Sequence, residues 1–209
     1  YGANGLANGV ETATESGVTS YTSTYAANAL VKDLVAPTVS VQPLNKTVFV
    51  GSAVVLSTTA GTPPANKTLT YQWYKAGVAI SGATSSTYTV TSSATTTNAD
   101  DYYCAIGFVN SCLITNTNTV NVTVLNNPAS STICLDGNVS FSVIKTGTNV
   151  VTYQWRKNGT NIVGATAATL VLANAQLADA ASYTCVVTNT SGGGTATSSA
   201  GVLSVTNNT

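Results

Sequence analysis

The residues able to do chemistry in this chain are few. There is no histidine, and the carboxylates number seven: Glu11, Glu15, Asp33, Asp100, Asp101, Asp136 and Asp179. Without histidine the commonest general base is missing. No serine stands in a Gly-x-Ser-x-Gly turn. Asp100 and Asp101 are adjacent, so on a strand they face opposite ways and cannot work as a carboxylate pair. The expectation is a protein that is not an enzyme and holds no cofactor. Asn98, Asp100 and Asp101 offer calcium three oxygen-bearing side chains where it wants about six ligands, so no metal site is expected. Four cysteines remain, Cys104, Cys112, Cys134 and Cys185. No Cys-x-x-Cys supports zinc. Disulfides are the expected use and imply an oxidising compartment; free buried thiols are the alternative.

The elements that would carry these residues read as strands. Seven basic residues balance the seven acidic ones, and charged residues make up only 7% of the chain. That balance gives nucleic acid or an anionic membrane surface nothing to hold. Polarity comes from Ser, Thr and Asn, which suits exposed strand faces and turns. No apolar run approaches the length of a membrane helix. The opening residues show no secretory leader, so an exported chain is expected to be a mature product or an excised piece. Seven Asn-x-Ser/Thr sequons occur, at Asn45, Asn66, Asn121, Asn138, Asn158, Asn189 and Asn207. In a chain this rich in Asn, Ser and Thr they carry little information.

The strongest signal is a repeat. Residues 69–84 read LTYQWYKAGVAISGAT, and residues 151–166 read VTYQWRKNGTNIVGAT. Tyr-Gln-Trp and Gly-Ala-Thr both recur 82 positions on (153 − 71 and 164 − 82). Each copy is followed by Tyr-x-Cys, Tyr102–Cys104 and Tyr183–Cys185, lying 31 and 30 residues after Trp73 and Trp155. Tyr71 and Trp73 share one face of their strand, as do Tyr153 and Trp155. These four, with Tyr102 and Tyr183, are the expected core. Gly82 and Gly164 read as turn residues.

A buried strand-C Trp and a Tyr two residues before a strand-F Cys are marks of the immunoglobulin sandwich. The chain resembles tandem immunoglobulin-like modules of bacterial surface proteins over residues 36–126 and 127–209. The resemblance implies an all-β fold of two tandem immunoglobulin-like β-sandwiches preceded by an extended N-terminal arm, residues 1–35. It departs from the antibody pattern in lacking a strand-B Cys. Val139, Phe141 and Val143 stand there in the second repeat, and Val55 or Leu56 in the first. The strand-F cysteines are therefore expected to pair elsewhere, Cys104 with Cys112 across the F–G hairpin and Cys134 with Cys185.

Within the arm, Ala29-Leu30-Val31 resembles a closing strand without its own domain. A lone strand needs a sheet edge to satisfy its backbone. The leading expectation is an extracellular, cell-surface structural protein, a subunit or repeat segment of a pilus-like filament. In it the arm acts as a donor strand, and copies join head to tail by β-strand addition. The alternative is an adhesin or carbohydrate-binding tandem module that recognises surface glycans or host and cell-surface ligands, with Tyr21, Tyr25, Tyr74 and Phe108 as candidate contact aromatics.

Overall fold

The computed structural model describes residues 35–207 and, ahead of them, two strands, β1 (Val10–Ala13) and β2 (Tyr21–Thr24), paired antiparallel from Val10↔Thr24 to Ala13↔Tyr21. Ala29, Leu30 and Val31 lie outside the described residues.

The remaining strands form two sandwiches. In the first they are β3 (Val39–Val41), β4 (Lys46–Phe49), β5 (Val54–Ser57), β6 (Thr59–Ala60), β7 (Leu69–Lys75), β8 (Val78–Ala79), β9 (Thr87–Thr91), β10 (Asp100–Phe108), β11 (Ile114–Asn116) and β12 (Val120–Leu125). One sheet runs β8–β7–β10–β12, with β11 on β10 and β4 parallel to β12; the pairs β5–β9 and β3–β6 make the other layer. The second sandwich contains β13 (Ser131–Cys134), β14 (Val139–Ser142), β15 (Lys145–Thr146), β16 (Val151–Lys157), β17 (Thr160–Asn161), β18 (Thr169–Leu172), β19 (Ala181–Asn189), β20 (Thr195–Thr197) and β21 (Gly201–Thr206). Its sheets are β17–β16–β19–β21–β13, with β20 on β19, and β14–β18. One strand crosses between the two: β15 pairs with β12 of the first sandwich, Val124↔Thr146 and Leu125↔Lys145.

Period-two alternation sets the cores. Trp73, Tyr102, Cys104 and Ile106 are buried in the first, Trp155, Tyr183, Cys185 and Val187 in the second, and Tyr71 and Tyr153 pack against them half-buried. On β5 the inward residues are Val54 and Leu56, while Val55 is 46% exposed, which decides between the two candidates for that position.

The repeated Gly-Ala-Thr is a clamp on the tryptophan. Gly82 and Gly164 take φ +75° and +76°, a left-handed conformation that favours glycine. The turn brings the Ala83 carbonyl to accept from Trp73 N–H at 2.9 Å, and Ala165 does the same for Trp155. Each indole Nε1–H then donates to a carbonyl just beyond, Ser85 or Ala167, at 2.9 Å. The recurring phrase thus satisfies the polar edge of a ring whose body is buried.

The cysteines are free, which corrects both expected disulfides. Cys104 lies opposite Thr117, whose N–H donates to the Cys104 carbonyl. Cys112 is five residues further along (117 − 112), about 16 Å of strand, against a Cα separation of about 7 Å that a disulfide tolerates. Cys134 pairs with Thr206, beyond the end of β19 where Ala181 faces Leu203. It is thus more than four residues of strand (185 − 181), about 13 Å, from Cys185. Cys104 and Cys185 are buried, and burial pushes both thiols up to about 11, so neither ionises at neutral pH. Cys112 and Cys134 are exposed.

Candidate functional site

Among the described residues no group of three Cys, Asp or Glu could hold a metal ion. Asp100 turns toward Lys75, 3.8 Å away, while Asp101 accepts from the Asn121 amide at 2.9 Å, so the two carboxylates diverge. Phe108 is buried at 4% exposure and offers no contact surface. Tyr74, a candidate contact residue, stacks on Tyr103 across β7 and β10, with ring centroids 4.7 Å apart and planes 2° from parallel. Tyr21 lies on β2. Tyr25 falls outside the described residues.

The most elaborate constellation is the joint between the sandwiches. All six residues of β12 are buried. Val120, Val122 and Val124 face the first core. The alternate positions, Asn121, Thr123 and Leu125, meet the second sandwich. β4 and the residue after it behave likewise: Val48 and Val50 pack on the first core, while Thr47 and Phe49 turn the other way. Phe49 and Leu125, paired in register, belong to the second core with Phe141, Trp155 and Tyr183.

Around this apolar plug runs a buried amide and hydroxyl network. Asn149 Nδ2 donates to the Lys46 carbonyl at 3.1 Å and the Asn121 carbonyl at 3.2 Å. Asn149 N–H donates to Thr123 Oγ1 at 3.3 Å, and the Asn149 carbonyl accepts from Lys145 Nζ at 2.7 Å. Asn189 Nδ2 donates to Thr47 Oγ1 at 2.9 Å. Asn121 Oδ1 accepts from Thr123 Oγ1 at 2.7 Å and from Thr148 N–H at 3.2 Å. Asn45 bridges the outside, its Oδ1 accepting from Asn121 N–H at 2.8 Å and its Nδ2 donating to the Ser191 carbonyl at 2.9 Å. Among the described residues no buried side-chain polar atom is left without a partner. Separating the halves would strip several amides of partners at about 1–3 kcal/mol each, unless water replaced them.

Two glycines let the surfaces meet this closely. At Gly147, φ +117°, a Cβ would stand 2.5 Å from Thr123 Oγ1 and 2.9 Å from Thr123 Cα. At Gly193 it would collide with the Asn189 amide and stand 2.9 Å from the Asn45 carbonyl.

Sequence reading missed this site. Asn45, Asn121 and Asn189 registered only as sequons, and β12 alternates Val with Asn and Thr as an ordinary half-exposed strand does. The available signal was the mismatch between repeats. Thr47, Phe49 and Leu125 stand where the second repeat has Thr132, Cys134 and Thr206, judged by the matching parallel registers of β4–β12 and β13–β21.

A family profile for the immunoglobulin domain matches residues 122–189. No curated protein matches the chain. Similar solved structures include an I-band fragment of titin, 20% identical, covering 82% of this chain and 66% of that one with a TM-score of 0.39. The N-terminal Ig1-2 module of the Drosophila receptor protein tyrosine phosphatase DLAR is 19% identical, covering 82% and 99% with a TM-score of 0.39. Extracellular domains 3–5 of Drosophila OTK are 20% identical, covering 81% and 65% with a TM-score of 0.36. This chain thus spans just under two thirds of the titin fragment. The profile match falls mainly on the second sandwich, and the repeated strand registers extend the same architecture to the first: the chain is a tandem of immunoglobulin-like β-sandwiches.

Proposed function

We propose that this chain is a non-enzymatic structural segment of an extracellular, cell-surface assembly, a stiff two-sandwich link. The observation that carries the reading is the joint, where β15 from the second half of the chain extends the first sandwich's sheet and the halves bury a completed polar network between them. Tandem domains otherwise move relative to one another unless their interface is large and apolar. A link that holds its angle suits a stalk or filament, in which each unit passes its orientation to the next. In the finer form of the proposal, residues 36–126 and 127–209 are the two domains. Copies then assemble head to tail, with Ala29-Leu30-Val31 adding as a strand to a neighbouring copy.

Deleting residues 1–35 tests the assembly. The truncated chain is expected to keep its melting profile and to sediment as a monomer, where the full chain forms filaments visible in negative stain. Filaments that persist without the arm would overturn strand addition.

The Tyr74–Tyr103 stack favours a second reading, a binding module for surface glycans or host and cell-surface ligands. It is half-buried on the outer face of the first sandwich, and the corresponding cross-strand pair in the second is Arg156–Thr184. Glycan-array binding that Tyr74→Ala abolishes would support this reading over the filament.

A further inference from the structure

We infer that the joint makes the second sandwich conditional on the first: the first holds a complete core by itself, whereas the second does not fold without the wall that the first supplies. The inference rests on the joint alone and stands whether or not the chain forms filaments.

The argument begins with which core each residue completes. The first core consists of Val54, Leu56, Trp73, Ala83, Ala94, Tyr102, Cys104, Ile106, Val120, Val122 and Val124, all from the first sandwich. The second contains Phe49 and Leu125, both lent by the first. Neighbouring residues on one strand thus serve different cores: Val48 and Val124 the first, Phe49 and Leu125 the second. The β4–β12 pair is a wall common to both, kept in place by the first sandwich's own sheet through β10.

If the first sandwich unfolds, that wall is lost. The second core then loses Phe49 and Leu125 and opens to water around Phe141 and Trp155, and Asn149 and Asn189 lose Thr47, Thr123 and the Lys46 carbonyl. If the second sandwich unfolds, the first keeps every residue of its core. It loses the β15 pairing along β12 and exposes the outer side of its wall, Phe49 and Leu125 with it, where Asn121, Thr123 and Thr47 can turn to water. A chain emerging N-terminus first would complete the template before the part that needs it.

Hydrogen exchange of the full-length chain, read by mass spectrometry, separates the two halves through amides of β10 and β19. Along a urea series, Leu56→Ala, buried wholly in the first core, is expected to make β10 and β19 lose protection together at a lower concentration. Phe141→Ala is expected to lower the concentration at which β19 loses protection while β10 stays protected. The adjacent pair sharpens the test: Val48→Ala should loosen β10 and β19 together, and Phe49→Ala should loosen β19 while sparing β10. If Leu56→Ala prevents folding, Leu56→Val makes the same comparison more gently. Protection of β19 that survives opening of β10, or a Phe49→Ala change confined to the first sandwich, would overturn the inference.

Discussion

The two sandwiches set the same Trp beside the same kind of Tyr, but they fill the space between from opposite strands. In the first, Tyr88 on β9 spans the gap, its ring 6.2 Å from Trp73 and 6.4 Å from Tyr102, while Leu56 stands across from it on β5. In the second, Phe141 on β14 spans it, 6.4 Å from Trp155 and 4.9 Å from Tyr183, while Leu170 stands across. One aromatic ring and one leucine share the cross-strand pair in both, exchanged between strands. The pair keeps its volume, which a close-packed interior requires, and leaves open which strand supplies the ring. It also explains how the fold does without a cysteine on β5 or β14: Leu56 and Phe141 close the core over Cys104 and Cys185.

The two β-walls differ in the opposite sense. The outer side of β4–β12 carries Phe49 and Leu125 and is covered. The outer side of β13–β21 carries Cys134 and Thr206 at the matching places and is open, with both exposed. Small and polar residues there need no cover, whereas Phe and Leu do.

The largest test removes the shared feature. Trp73→Ala and Trp155→Ala should each cost about 3–5 kcal/mol, as buried aromatic truncations do. By calorimetry, Trp155→Ala should split off a low-temperature transition for the second sandwich. Trp73→Ala should lower the melting of the whole chain, because the second core leans on the first. Equal, separate transitions in both variants would make the two sandwiches interchangeable and independent.

Next in size is the exchanged ring. Phe141→Leu leaves two leucines where the pair needs one ring, at a cost of about 1–3 kcal/mol for the space left. Adding Leu170→Tyr rebuilds the arrangement of the first sandwich in the second. The double variant should recover more than half of the loss, a coupling of about 0.5–3 kcal/mol in a double-mutant cycle. Additive losses would mean the two backbones are less alike than their registers.

What the sequence conveyed follows from how each feature is encoded. Trp73, Trp155 and the Tyr-x-Cys pairs were legible because large buried residues at fixed spacing have few alternatives. The tyrosine corner follows from them: Tyr102 Oη donates to the Asn98 carbonyl at 3.1 Å and Tyr183 Oη to the Asp179 carbonyl at 2.9 Å. The joint was illegible because several of its partners lie more than a hundred residues apart, as Lys46 and Asn149 do, and an Asn facing another sandwich reads like one facing water. The disulfide expectation failed on register, since the cysteines stand on strands whose offsets no composition reveals.

A smaller contrast lies at the tight turns. Ala76-Gly77 and Asn158-Gly159 join β7 to β8 and β16 to β17, each pair in the left-handed region, with φ of +47° at both Ala76 and Asn158. Asn adopts that conformation at less cost than Ala. Asn158 Oδ1 also accepts from Ser182 N–H at 3.0 Å. Ala76→Asn should therefore raise the stability of the first sandwich by about 0.5–1 kcal/mol, and Asn158→Ala should lower that of the second by a similar amount. Chemical denaturation with an unchanged slope checks both; a destabilising Ala76→Asn would show that the first turn lacks room for the side chain.

The smallest effect is electrostatic and separates the corners by pH. Ahead of each corner tyrosine a side chain caps a short turn: Asn98 Oδ1 accepts from Thr95 N–H at 2.9 Å, and Asp179 Oδ2 accepts from Gln176 N–H at 3.0 Å. Only the second cap titrates. The hydrogen bond from the Gln176 backbone, and then that from Lys157, whose Nζ lies 3.0 Å from Asp179 Oδ1, hold the Asp179 carboxyl below its ordinary value. A folded-state pKa below the unfolded one means that the stabilisation is fully present above the ordinary carboxylate range. It drains away as pH falls through that range to the depressed value. Lys157 mirrors this, raised by its hydrogen bond to Asp179, so its share is lost only as pH climbs past the ordinary lysine range. Both groups are about a third exposed, so solvent screening limits the pair to about 1 kcal/mol or less. Acidification should accordingly speed exchange at β19 slightly more than at β10. Asp179→Asn, which copies the cap of the first sandwich, should remove that difference. A difference that survives the substitution would place the acid-sensitive group elsewhere in the second sandwich.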